Sequence, residues 1–120
     1  MIEQRAGGEH PLIVIVSEPG PGQCVVALRG DLGLAQEREL DRALNSLTVL
    51  QGVVVIDLSE VGMIASLAMG ALVAAQRGLR AHGAQMRLAA PHPRVLEALK
   101  RVRLDMTFGV YATVEQALAA

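Results

Sequence analysis

Apolar positions fall into short β-rich runs and longer helical stripes that alternate along the chain. Leu12 to Ser17 is a β-rich run, and the Pro19-Gly20-Pro21-Gly22 that follows is a turn, because neither strand nor helix tolerates such residues in its interior. Cys24 to Leu28 is a second apolar run ended by Gly30 and Gly33, so the chain is predicted to open with a β-hairpin at a sheet edge. From Leu34 to Leu47 the residues Leu40, Ala43, Leu44 and Leu47 recur at i, i+3, i+4 and i+7, with Glu37, Arg38, Glu39, Asp41 and Arg42 on the other faces. This pattern predicts an amphipathic helix. Gly52 then precedes Val53-Val54-Val55-Ile56, a β-branched run without polar alternation, which suits a central strand covered on both faces of a mostly parallel sheet.

A second helix is predicted over Ala68 to His82, with Gly83 as its left-handed cap. Gln85 to Ala89 makes a short strand, and Arg94 to Val102 a third helix with Pro93 near its first turn. Thr107 to Tyr111 reads as a last strand, and Thr113-Val114-Glu115-Gln116 starts a short final helix. The order implies an α/β fold, a mixed sheet of four to five strands with about four helices, forming one domain over residues 1–120.

Composition narrows the chemistry. The chain is 52% apolar, yet Phe108 and Tyr111 are its only aromatics, so the core must be built from Val, Leu, Ile, Ala and Met in thin layers. Net charge is −1, with acids at Glu37, Glu39 and Asp41 and bases at Arg94, Lys100, Arg101 and Arg103. Without a basic excess or stacking aromatics, nucleic-acid binding is not expected. Cys24 stands alone, which excludes an intrachain disulfide and a thiol zinc cluster, and it reads as a small buried hydrophobe. Met1 to Arg5 lack the pattern of a signal peptide, and no apolar segment reaches the roughly 18–20 residues of a membrane span. A cytoplasmic protein with no membrane insertion is the expectation.

His10, His82 and His92 have no metal-ligand spacing. No nucleophile elbow surrounds Ser66, and no phosphate-binding or dinucleotide glycine motif follows a strand. Neither a catalytic residue, a metal nor a cofactor is therefore expected. Asp57, at the end of the central strand, is read as a hydrogen-bonding residue of the next loop rather than a catalytic acid.

The most informative stretch is Asp57-Leu58-Ser59-Glu60-Val61-Gly62-Met63-Ile64-Ala65-Ser66-Leu67-Ala68-Met69-Gly70, where an apolar strand gives way to an apolar helix. It resembles the signature of the STAS family of anti-sigma factor antagonists, whose members read Asp-Leu-Ser, then an apolar pair followed by Asp-Ser-Ser/Thr-Gly-Leu-Gly. Leu28-Arg29-Gly30-Asp31-Leu32-Gly33-Leu34-Ala35 is similar to the family's opening of helix one, with Gly33 where an Asp commonly sits. Residues 79–88 and 104–118 resemble the later elements. The likeness thus runs over nearly the whole chain, but Ala65 stands in place of the family's acid, Leu67 in place of its phosphorylated Ser or Thr, and Ala68 in place of a glycine.

The resemblance implies a non-enzymatic regulator that binds an anti-sigma factor or switch kinase and lacks the usual phospho-switch. A partner surface is expected at Gly33, Ala65, Ser66, Leu67, Ala68 and Met69, and homodimerisation stays open. Ser66 is preferred as an N-cap over a weakly supported shifted phosphoacceptor. Leu67 has two open readings, a core residue or an exposed apolar anchor beside Met63 and Met69. The alternatives are a STAS scaffold or transporter-accessory subunit, or a small-molecule or nucleotide sensor.

Overall fold

A computed structural model describes residues 11–47 and 52–120; His10 and the Met1–Arg5 stretch lie outside them. The described elements run β1 (Ile13–Ser17), β2 (Gln23–Arg29), a 3-10 turn (Leu34–Gln36), α1 (Glu37–Asn45), β3 (Gly52–Glu60), α2 (Ser66–Ala81), β4 (Ala84–Ala89), α3 (Pro93–Arg101), α4 (Leu104–Thr107), β5 (Gly109–Tyr111) and α5 (Val114–Ala119). The strands form one sheet in the order β1-β2-β3-β4-β5. β1 and β2 are the antiparallel hairpin, and every other pairing is parallel.

The β-branched run is central, as its lack of polar alternation requires. Val54, Ile56 and Leu58 face the larger core with no exposed surface, joining Leu40 and Leu44 of α1, Leu72 and Leu79 of α2, and Val95 and Leu99 of α3. Val55 points the other way into a small cluster with Val25, Ala89 and Ala117, which α5 covers. Each face of the strand thus buries aliphatic side chains, worth about 1.5–3 kcal/mol apiece relative to exposure. Phe108 is the only aromatic in the larger cluster, so the layers are filled by branched aliphatics as composition required.

Several boundaries differ from expectation. The first helix starts as a 3-10 turn, in which the Gln36 side-chain oxygen accepts the Gly33 N–H at 3.1 Å. β3 continues through Asp57 to Glu60, so Asp57 lies inside the strand instead of closing it. Residues 104–107 form a helical turn and the last strand is only Gly109–Tyr111. The reason is tertiary: Arg103 adopts a left-handed φ of 60°, the Phe108 N–H bonds back to the Leu104 carbonyl, and the Phe108 ring is buried. Gly83, by contrast, has the predicted left-handed conformation, with φ of 84° one residue past the His82 cap of α2.

Candidate functional site

The candidate site is where two loops meet beneath the start of α2. The chain after β2 and the chain after β3 are tied by three backbone hydrogen bonds: Gly30 N–H to the Glu60 carbonyl at 3.0 Å, Leu32 N–H to the Met63 carbonyl at 2.8 Å, and Ala65 N–H to the Leu32 carbonyl at 2.8 Å. Leu32 is fully buried and Ile64 nearly so, which seats the pair on the core. Loops held by both backbone bonds and buried leucine or isoleucine present their remaining side chains on a fixed frame.

Beside the polar Asp31 and Ser66, these loops and the first turn of α2 expose large apolar side chains. Leu67 is 56% exposed, Met63 40% and Leu34 70%. The Met63 methyl lies against Gly33, where an added Cβ would come within 3.3 Å of it. A hollow of about 390 Å³ separates Met63 and Ile64 from α3, with Arg94 and Arg101 on its far wall. A smaller one, about 210 Å³, runs between Ser66, Met69 and Gly70 on α2 and Val102 and Leu104 beyond α3. Val102 and Met106, both well exposed, continue the apolar surface on that side.

The helix starts one residue earlier than the capping reading of Ser66 requires. Ala65 is the N-cap, with extended φ and ψ of −87° and 162°, and no side chain caps the helix. Ser66 is instead the first helical residue, exposed and making no side-chain hydrogen bond among the described residues. Its position corrects the N-cap expectation, because a hydroxyl at the first helical position does not reach back over the free N–H groups as one at the cap does. By helix geometry the N–H groups of Ser66, Leu67 and Ala68 have no partner within the helix.

The six expected surface residues separate into two sets. Ala65 is half-buried, while Ser66 and Leu67 are exposed. Gly33 is buried under Met63, Ala68 is fully buried and Met69 is 8% exposed, so these three support the surface from below and are corrected to interior positions. Helix phase is the cause: Ala68, Leu72, Ala75 and Leu79 form the i, i+4, i+7, i+11 stripe facing the sheet, and Leu67 lies just off it. Leu67 is therefore the exposed apolar residue of its two readings. Leu34 was missed, although its place six residues before Leu40 puts it off the α1 stripe.

Other expected chemistry resolves locally. The Asp57 carboxylate accepts the Ser59 N–H at 3.0 Å, a bond made within β3 itself and not to the loop that follows the strand. Cys24 is buried, and burial together with the Glu18 carboxylate pushes its thiol above the usual range. A His82 ring nitrogen hydrogen-bonds the Gly78 carbonyl. Among the described residues no group of three or more His, Cys, Asp or Glu is placed to hold a metal ion, and no helix is long and apolar enough to cross a membrane.

With the geometry established, comparison with known proteins places it. The STAS domain family model matches residues 13–117. An anti-sigma factor antagonist from Mycobacterium paratuberculosis superposes with a TM-score of 0.81 at 24% identity, over 90% of this chain and 92% of that one. A putative anti-sigma factor antagonist from Thermotoga maritima gives 0.77 at 18%, over 88% and 92%. A sulfate transporter family protein from Wolinella succinogenes gives 0.72 at 21%, over 83% and 84%. Among curated proteins, none matches the chain at the sequence level.

Proposed function

The chain belongs to the STAS domain family, and from that premise we propose that it is an anti-sigma factor antagonist-like regulator that docks on a protein partner, an anti-sigma factor or switch kinase. The observation that carries this reading is Leu67, 56% exposed in the first turn of α2, with Met63 and Leu34 also exposed on the two loops whose backbone bonds seat that helix start. Rigid, exposed hydrocarbon beside free helix N–H groups favours a desolvated protein contact. A leucine offers no hydroxyl, so the contact is not switched by phosphate at that position. The partner covers Ala65, Ser66, Leu67, Met63 and Leu34, while Gly33, Ala68 and Met69 hold those residues in place from beneath.

A second reading, a scaffold or transporter-accessory subunit, uses the same surface, since constitutive contact is what an apolar, switchless first turn favours. The test is capture of partners from the source cytoplasm and their identification by mass spectrometry, followed by titration of the purified partner with wild type and Leu67→Asp. An anti-sigma factor or kinase whose affinity depends on Leu67 supports the first reading. A transporter or assembly subunit with the same dependence supports the second, and affinity indifferent to Leu67 removes this surface from both.

A further inference from the structure

α2 and α3 lie on the same face of the sheet, both burying apolar side chains in the larger core, and a groove runs between them. Its two hollows, of about 390 and 210 Å³, follow one another along α3. Across the first, Arg94, Ala98 and Arg101 face Met63 and Ile64; across the second, Val102 faces Met69 and Gly70. Together with Glu97 the α3 residues recur at i, i+3, i+4 and i+7, which puts them on a single stripe of that helix. From Arg94 to Arg101 the stripe runs about 10 Å, or two turns.

The groove is apolar along its floor and basic along its α3 rim. Ile64 and Met69 lie at the bottom, nearly buried, while Met63 and Val102 are exposed at the sides. Gly70 is exposed, and an added Cβ there would meet nothing within 4 Å, so the α2 wall stands open at that point. Arg94 and Arg101 are exposed, and neither makes an ion pair or hydrogen bond among the described residues. Glu97, on the same stripe between them, is the only acid among the described residues lining either hollow. More widely, residues 66–111 carry seven Lys and Arg against two acids, in a chain whose net charge is −1. An apolar channel of this shape takes an amphipathic helix laid lengthwise, with its apolar stripe in the hollows. The basic rim selects one with acidic flanks, since guanidinium groups match carboxylates in geometry as well as charge. A lipid surface would meet only the rim and leave Ile64 and Met69 uncovered.

We propose that the groove between α2 and α3 binds an acidic amphipathic helix of a partner protein, its apolar stripe seated on Met63, Ile64 and Met69 and its carboxylates on Arg94 and Arg101. The two arginines stand seven residues apart with Glu97 between them, so a helix lying along α3 carries its acids about a heptad apart, with an uncharged residue opposite Glu97. The inference rests on the reading that this end of the molecule docks a protein, and it names the element that the partner brings.

The experiment is a titration of the ¹⁵N-labelled full chain with three synthetic helical peptides of roughly 18 residues, read from the backbone amides of Ile64, Gly70, Ala98 and Val102. The first peptide carries a leucine stripe flanked by glutamates a heptad apart, the second has lysines in place of those glutamates, and the third has the first one's composition with the stripe scrambled. The first should saturate the shifts about tenfold or more tighter than the second, and the third should not saturate them. Arg94→Gln combined with Arg101→Gln, both at exposed positions, should remove most of that preference. Gly70→Leu should fill the channel and weaken the first peptide by about tenfold or more. Its melt should be no lower than that of wild type, because leucine then replaces glycine in a helix with open space around it. The peptides stand in for the partner, so the two readings fail separately: a captured partner indifferent to Leu67 leaves the groove standing, and peptides that fail leave the Leu67 contact standing. Saturation with these dependences supports the groove. Shifts that do not saturate, no preference for the acidic peptide, a preference unchanged in the double variant or affinity unchanged in Gly70→Leu would each overturn it. Co-sedimentation with phosphatidylglycerol vesicles in place of peptide saturation would overturn it too and assign the surface to lipid.

Discussion

The two ends of α2 differ in every surface property although one buried stripe joins them. The N-terminal end offers hydrocarbon, with Leu67 exposed above loops that are locked by backbone bonds. The C-terminal end offers a cation and an amide, Arg80 and Gln76, beside a notch that opens where β5 stops short of β4. Between them Ala68, Leu72, Ala75 and Leu79 are 0–3% exposed against the sheet. The difference teaches that packing and surface chemistry are carried by different parts of the same helix: the stripe fixes the rod, and each end is then free to present its own side chains.

The harshest test of that division is in the stripe. Leu72→Ala should lower unfolding free energy by about 2–5 kcal/mol, measured by urea denaturation, because it leaves a cavity that close-packed neighbours only partly fill. A loss below about 1 kcal/mol would mean that the stripe does not hold the two ends in register.

Leu67→Asp should leave the same unfolding curve within about 0.5 kcal/mol, as an exposed residue whose new charge suits the helix N-terminus. Its affinity for the captured partner should nevertheless fall about 100- to 1000-fold, or about 3–4 kcal/mol, since a carboxylate would be left desolvated and unpaired. Unfolding of this variant would show that the N-terminal end belongs to the core after all.

Smaller effects sharpen the contrast in how the ends are terminated. Gly83→Ala should cost about 1–2 kcal/mol in a thermal or urea melt, because the left-handed φ of 84° brings an L side chain against its own backbone. At the other end Ala65→Ser should stabilise by about 0.5–1 kcal/mol, supplying the oxygen that the N-cap lacks. No gain would indicate that the first-turn N–H groups already have partners.

The least change is expected from phosphorylation. Incubation with switch kinases and ATP, followed by phosphopeptide mapping, should find no phosphate in residues 63–70, since Leu67 has no hydroxyl and Ala65 provides no neighbouring acid. Stoichiometric phosphate on Ser66 would restore a shifted switch, for which its exposed and uncapped hydroxyl leaves steric room.

What the sequence by itself determined is the alternation of elements and the frame around the site. Val53 to Ile56 could only be a strand covered on both faces, Pro19 to Gly22 only a turn, and Gly83 a helix stop, because each rests on backbone sterics or on continuous burial. The motif likewise located the strand-to-helix junction. Tertiary structure decided which of Leu67, Ala68 and Met69 faces out: all three are apolar, so the local residue types do not choose, and the stripe through Leu72, Ala75 and Leu79 extends to Ala68 only because the helix begins at Ser66 against loops bonded to Leu32. It also decided that residues 104–107 coil instead of extending, since burying Phe108 and meeting the Gln76 amide require a turn there. The notch was equally invisible in one dimension. It exists because β5 stops short of β4, and the length of a strand's partner is fixed by packing across the sheet, which no local pattern encodes.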